Sequence, residues 1–122
     1  MKNFDKQVRY RKEGEYCVVR FFGSLDTAYR ESLIMFFDDR MREECKYFIL
    51  DFEKADYMSS TVWGALITIT KRARERGGDV YLCAVHGQLE SVFRIMRFDR
   101  IFKVYPDVYT ALKDLGLENI EL

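Results

Sequence analysis

The run Tyr47-Phe48-Ile49-Leu50-Asp51-Phe52, then Glu53-Lys54-Ala55-Asp56, then Tyr57-Met58-Ser59-Ser60-Thr61-Val62-Trp63-Gly64-Ala65-Leu66, decides the fold class. The first six residues form a nearly continuous apolar run of strand length, which suits a strand covered on both faces of a parallel sheet. Glu53 to Asp56 is expected as a loop. From Ser60 to about Arg76 the spacing is helical, with Val62, Leu66, Ile69 and Ala73 on one narrow core face. Trp63 and Ile67 lie about 100° round from that stripe. They form either the margin of the core or an apolar patch for a partner. Three consecutive hydroxyls, Ser59, Ser60 and Thr61, stand at the junction. A Ser or Thr oxygen there can accept from one of the first unpaired helix N–H groups. The same helix start carries partial positive charge and favours a phosphate. The cluster therefore reads as a simple cap or as a phosphorylated switch.

Strands and helices alternate outward from this junction. Gln7 to Lys12 is expected as a short edge strand whose Lys and Arg discourage edge-to-edge association. After the turn Glu13-Gly14-Glu15, Tyr16 to Phe22 is rich in β-branched and aromatic residues and pairs antiparallel with it. Gly23-Ser24-Leu25-Asp26-Thr27 ends that strand and opens a helix capped by Asp26 or Thr27. In that helix Tyr29, Leu33, Ile34, Phe36, Phe37 and Met41 follow helical spacing to about Glu44, and Met35 falls off the stripe. Gly77-Gly78 ends the Ser60 helix. Asp79 to Val85 is the next strand. Gln88 to about Arg97 is a short helix with Leu89, Val92, Phe93 and Met96 inward. Ile101 to Tyr105 is a last strand. Pro106 opens a final helix, with Val108, Ala111, Leu112 and Leu115 on one face and Gly116 as its cap. This order implies an α/β fold with a mainly parallel sheet of four to five strands, an antiparallel N-terminal edge strand and about four helices.

Composition narrows the function. The 122 residues fit one domain, with a core expected over about 8–115. Twenty basic and twenty acidic residues cancel, so nucleic-acid binding by the whole surface is not expected. The start Met1-Lys2-Asn3-Phe4-Asp5-Lys6 lacks the apolar core of a signal peptide, and no apolar run reaches membrane-spanning length. Cys17, Cys45 and Cys83, odd in number and widely spaced, read as reduced buried thiols of a cytoplasmic protein. The single His86, with no Cys pair at ligand spacing, gives no metal site. No G-x-S-x-G elbow surrounds Ser60, and neither phosphate-binding glycine loop occurs, so no enzyme and no cofactor are expected. Asp51, at a strand end, supports the neighbouring loop through backbone N–H groups.

The organisation resembles the STAS domain, the family of bacterial anti-sigma factor antagonists, from about Val8 to Leu115. The resemblance rests on Val19-Arg20-Phe21-Phe22-Gly23-Ser24-Leu25-Asp26, on Phe48-Ile49-Leu50-Asp51-Phe52 followed by Tyr57-Met58-Ser59-Ser60-Thr61, on Gly77-Gly78 before Val80-Tyr81-Leu82, and on Phe98-Asp99-Arg100-Ile101-Phe102. Family members typically read D-S-[ST]-G-L-G at the strand-to-helix junction, and a partner kinase phosphorylates the serine after the aspartate. Aligned without gaps, Ser59 stands for the aspartate, Ser60 for the phosphoacceptor and Thr61 for the next hydroxyl. Val62 replaces the glycine, Trp63 the leucine, and Gly64 matches. Loss of the aspartate removes a group expected to shape the acceptor loop, and Val62 is expected to put bulk where a partner approaches.

The resemblance implies partner switching. The unmodified domain binds an anti-sigma factor, a serine kinase with a histidine-kinase-like ATP site, and so releases a sigma factor. Ser60 is then the phosphoacceptor, ahead of Ser59 and Thr61. Ser59, Ser60, Thr61, Val62, Trp63 and Ile67 are the expected partner contacts. A homodimer is compatible with this reading. The alternative is a divergent, non-phosphorylated module serving as a scaffold or accessory subunit of a signalling or transport assembly.

Overall fold

The computed structural model describes residues 4–120. Five strands run in the order β1 (Val8–Glu13), β2 (Tyr16–Leu25), β3 (Tyr47–Met58), β4 (Asp79–Cys83) and β5 (Lys103–Tyr105). The β1–β2 hairpin is antiparallel and all other pairs are parallel, as expected. The connections carry α1 (Arg30–Arg42), α2 (Ser60–Glu75) and α3 (Gly87–Ile95), and α4 (Val108–Asp114) follows β5. Short 3-10 turns occupy Phe4–Lys6, Thr27–Tyr29 and Phe98–Arg100.

Alternation along the strands divides the interior into two layers. Cys17, Val19, Phe21, Phe48, Leu50 and Phe52 point towards α1, α2 and α3, where they meet Leu33, Phe37, Leu66, Ile69 and Leu89. Val18, Ile49, Tyr81 and Cys83 point the other way, against Val108, Ala111 and Leu112 of α4. β3 is thus covered on both faces, which accounts for its continuous apolar run. Each fully buried Leu, Ile or Phe of this kind contributes about 1.5–3 kcal/mol. Met35 is exposed, off the α1 stripe.

Two expectations fail at β2 and β3. Glu53-Lys54-Ala55-Asp56 is strand rather than loop, and β2 continues through Gly23-Ser24-Leu25. The pairing runs Arg20↔Asp51, Phe22↔Lys54, Gly23↔Ala55, Ser24↔Tyr57 and Leu25↔Met58. Register shifts between Arg20 and Phe22 and between Gly23 and Ser24 each admit one extra residue into β3. Such bulges break the two-residue alternation. Phe52, Ala55 and Met58 are buried while the pairs between them are exposed. That three-residue spacing, with charge at Glu53, Lys54 and Asp56, resembles no regular strand.

Other boundaries move less. β4 stops at Cys83, where Ala84 takes the left-handed region at φ 57°, and β5 begins only at Lys103. α3 ends at Ile95, so Met96 lies past its last turn and is exposed rather than inward. The final helix begins at Val108, not Pro106. Asp107 is its cap, with Oδ1 accepting from the Thr110 N–H at 2.7 Å. Gly77 ends α2 with φ 86°, and a Cβ on Gly78 would lie 1.7 Å from the Lys46 carbonyl oxygen. The three cysteines are free and buried. Burial pushes the Cys83 thiol up to about 12 and the Cys17 thiol higher still, which leaves both unreactive.

Asp79, buried at the start of β4, joins three elements. Its carboxylate accepts from Arg74 Nε at 2.9 Å, from Lys103 Nζ at 2.8 Å and from the Val80 N–H at 2.8 Å. Burial opposes its ionisation, but the hydrogen bonds from Lys103, Val80 and Arg74 outweigh that and hold the carboxyl below its ordinary 3.8. A carboxyl depressed by folding stabilises the native state above its unfolded value and loses that contribution as pH falls through the folded one. Asp79→Asn is therefore expected to lower the thermal midpoint at neutral pH and to flatten the loss of stability below pH 3.8. Thermal unfolding of both proteins across that acid range is the check.

Candidate functional site

The end of β3 and the start of α2 are held from two sides. Ser59 is the N-cap of α2, with extended backbone at φ −72° and ψ 159°. Its Oγ accepts from the Val62 N–H at 3.2 Å, and its carbonyl accepts from the Trp63 N–H at 3.0 Å. Its own N–H donates to the Leu25 carbonyl at 3.1 Å, and the Thr27 hydroxyl donates to Ser59 Oγ at 3.3 Å. From the other side Gln88 of α3 grips Met58. Its Oε1 accepts from the Met58 N–H at 3.2 Å and its Nε2 donates to the Met58 carbonyl at 3.5 Å. Of the two expected caps, Asp26 and Thr27, Asp26 takes the role at the turn Thr27–Tyr29, accepting from the Ala28 N–H at 3.0 Å. Gln88 gave no sequence signal, because nothing local pairs it with a residue thirty positions earlier.

The three hydroxyls therefore have different positions. Ser59 is buried and committed to the cap, Thr61 is half-buried, and Ser60 is exposed at the first residue of the helix. Ser59 takes up the Val62 and Trp63 amides. Among the described residues this leaves the Ser60 and Thr61 N–H groups without an acceptor at the positive end of α2.

Besides the buried Ser59, two more of the expected partner contacts are not on the surface. Val62 is 0% and Trp63 1% exposed, so neither can touch a partner in this conformation. Val62 fills the core stripe instead of adding bulk at the surface. The Trp63 ring packs against Phe98 at 4.9 Å, Phe102 at 5.9 Å and Phe93 at 6.1 Å between centroids. Ile67 is half-buried against the same core. The exposed strip of α2 runs instead through Ser60, Gly64 and Thr68, one residue per turn. No atom lies within 4 Å of where a Gly64 Cβ would stand, so packing does not require glycine there. An interior helical glycine costs about 1 kcal/mol against alanine. What it provides is a flat helix surface one turn beyond Ser60.

The other polar candidates are occupied. His86 Nε2 lies 3.1 Å from both the Phe52 and the Glu53 carbonyl oxygens. Carbonyls only accept, so Nε2 carries the proton and ties the segment after β4 to the middle of β3. Asp51, 2% exposed, accepts from the Glu53 N–H at 3.1 Å and from Arg20 Nε at 3.0 Å. It supports the start of the segment expected as a loop, which is strand here. Among the described residues no group of three or more His, Cys, Asp or Glu could hold a metal ion, and no helix is long and apolar enough to cross a membrane.

Comparison with known proteins agrees with this architecture. The model of the STAS domain matches residues 7–111. The chain is similar to an anti-sigma F factor antagonist of Paenibacillus polymyxa, with 23% identity over 99 residues, covering 80% of this chain and 85% of that protein. An anti-sigma factor antagonist of Mycobacterium paratuberculosis superposes with a TM-score of 0.78 at 15% identity, over 89% of this chain and 92% of the other. The phosphorylated form of the Bacillus cell-fate determinant SpoIIAA superposes with a TM-score of 0.71 at 17% identity, over 88% of this chain and 98% of that one.

Proposed function

The chain belongs to the STAS domain family, a family of non-enzymatic regulatory modules, and on that premise we propose that it is an anti-sigma factor antagonist working by partner switching at Ser60. Its partner is an anti-sigma factor that is also a serine kinase with a histidine-kinase-like ATP site. The observation that carries the reading is the division of labour at the α2 start. Ser59 caps the helix from a buried position, and Ser60 beside it is exposed next to two amides without acceptors.

That geometry suits a phosphate. Phosphorylation of Ser60 adds about −1.5 to −2 charges at the positive end of α2. The helix dipole stabilises it by only ~0.3–1 kcal/mol at an exposed site. The Ser59, Thr27 and Gln88 contacts survive the modification because none of them uses the Ser60 hydroxyl. The switch therefore acts by local charge at the docking surface and leaves the fold intact. Ser60, Thr61, the flat surface at Gly64 and the flank of Ile67 are the contact residues in this reading. Ser59 contributes by shaping the junction from beneath. The missing aspartate is replaced functionally by Ser59, which holds the junction through its hydroxyl.

Incubation with the partner kinase and ATP, read by intact mass, is the test. One phosphate is expected on the wild type and none on Ser60→Ala. Thr27→Val, which removes the hydroxyl that meets Ser59, is expected to slow phosphate transfer while leaving Ser60 the acceptor. Phosphate on Ser60→Ala at the same rate, or none on the wild type, defeats the reading.

A further inference from the structure

A second surface lies on the far side of the sheet from α2. There α4 packs on β3, β4 and β5 and reaches Val18 of β2, while among the described residues β1 and the Arg20–Phe22 end of β2 carry no helix on that face. The open half presents arginines. Arg9 stands directly opposite Arg20 across the hairpin, and Arg11 stands opposite Val18. Like charges directly opposite in a sheet are destabilising. Arg20 is held by the buried Asp51, whereas among the described residues Arg9 has no ion-pair partner to offset the repulsion. Arg9, Arg11 and Arg20 line one groove with Val18 and Phe22. Arg9 lies over the Phe22 ring at 5.6 Å. Among the described residues Arg20 is held by Asp51 through Nε alone, which leaves both terminal amino groups of its fork for another acceptor. Asp51 offsets the charge of Arg20 through that ion pair, so Arg9 and Arg11 carry the groove's excess positive charge. Glu13, at the end of β1, is the acidic residue that closes the patch.

The groove borders an unpaired strand edge. The Phe22 N–H donates to the Gln7 carbonyl at 2.9 Å, which makes that cross-strand pair a hydrogen-bonded one. Pairs alternate along an antiparallel ladder. Arg9, Arg11 and Glu13 therefore bond inwards to β2, and the N–H and C=O groups of Val8, Tyr10 and Lys12 face outwards from the sheet.

We propose that this edge and the arginine face together bind an extended acidic segment of a partner polypeptide, added to the sheet alongside β1. Alternate carboxylates of such a strand reach the arginine forks, for which paired N–H groups are the matching geometry, and its main chain meets the outward groups of β1. A second copy of this chain is disfavoured as occupant, because edge-to-edge pairing would bring Arg9 and Arg11 of both copies together. A nucleic acid would use the arginines but not the strand edge. The surface is independent of Ser60, on the opposite side of the sheet from α2, so it serves equally well with or without the partner switch.

The probe is a fluorescently labelled peptide alternating glutamate and valine, titrated with the whole chain at low ionic strength and read by anisotropy. Saturable binding is expected, weakened about tenfold in Arg9→Ser/Arg11→Ser. Lys12→Pro removes one outward N–H without touching the ladder, and is expected to weaken binding several-fold while the arginines remain. Both variants are expected to keep the wild-type far-ultraviolet spectrum. Arg9→Glu/Arg11→Glu is expected to prefer the lysine–valine counterpart. Lack of saturable binding, equal binding of the lysine peptide by the wild type, indifference to the arginine pair or to Lys12→Pro, or tighter binding of a single-stranded oligonucleotide overturns the proposal.

Discussion

Trp63→Ala is expected to lower the unfolding free energy by about 3–5 kcal/mol, the usual cost of emptying a buried aromatic site. The ring is 1% exposed and stands between α2, α3 and the turn at Phe98–Arg100, in contact with Phe93, Phe98 and Phe102. Alanine leaves a cavity that three aromatic neighbours on separate segments cannot close together. Domains of this size have only about 5–15 kcal/mol of stability, so the variant sits close to its unfolding threshold. Trp63→Phe separates packing from polarity. Among the described residues the indole Nε1 is buried without a hydrogen-bond partner, a group whose burial costs about 1–3 kcal/mol. Phenylalanine loses ring volume but relieves that burial, so a much smaller loss is expected, below about 1.5 kcal/mol. Urea unfolding followed by circular dichroism measures both. A Trp63→Ala protein of wild-type stability that failed only in partner binding would favour the partner patch, the other of the two roles its sequence position left open.

The same residue shows where local sequence stops informing. On the α2 wheel, Trp63 lies outside the stripe of Val62, Leu66, Ile69 and Ala73, and a wheel knows nothing of α3. Burial comes from Phe93, Phe98 and Phe102, thirty or more positions later in the chain. The succession of strands and helices and the mainly parallel pairing were legible because the apolar runs and helical stripes are local and regular. The second half of β3 was not, because two bulges turned its alternation into a three-residue pattern carrying charges. At the junction, the hydroxyl cluster was legible as a helix start. Which hydroxyl is buried depends on Leu25 and Thr27, contacts made across the sheet. Composition placed Arg9 and Arg20 in a neutral chain, and only the register set them opposite each other.

Ser60→Asp is expected to weaken binding of the anti-sigma partner by more than tenfold, and Ser60→Ala to leave it near the wild-type value. Both substitutions remove the same hydroxyl, so their difference isolates charge. Each tenfold step is about 1.4 kcal/mol, while a like-charge contact at a closed interface costs several kcal/mol. One carboxylate carries less charge than a phosphate, so the phosphorylated protein is expected to bind more weakly than Ser60→Asp. The fold is not expected to respond. An acidic residue at the first position of α2 interacts favourably with the helix dipole, so the thermal midpoint of Ser60→Asp should equal or slightly exceed that of the wild type. Calorimetric titration of the three proteins with the anti-sigma factor, set beside their unfolding curves, tests both halves. Equal affinities for Ala and Asp would remove the switch. Lost affinity together with a lowered midpoint would mean that Ser60 maintains the junction and that charge at the interface is not what separates the partners. If affinity falls while the midpoint holds, the effect lies at the interface, as the cap geometry requires, because the Ser59, Thr27 and Gln88 contacts hold the helix start whichever residue follows them.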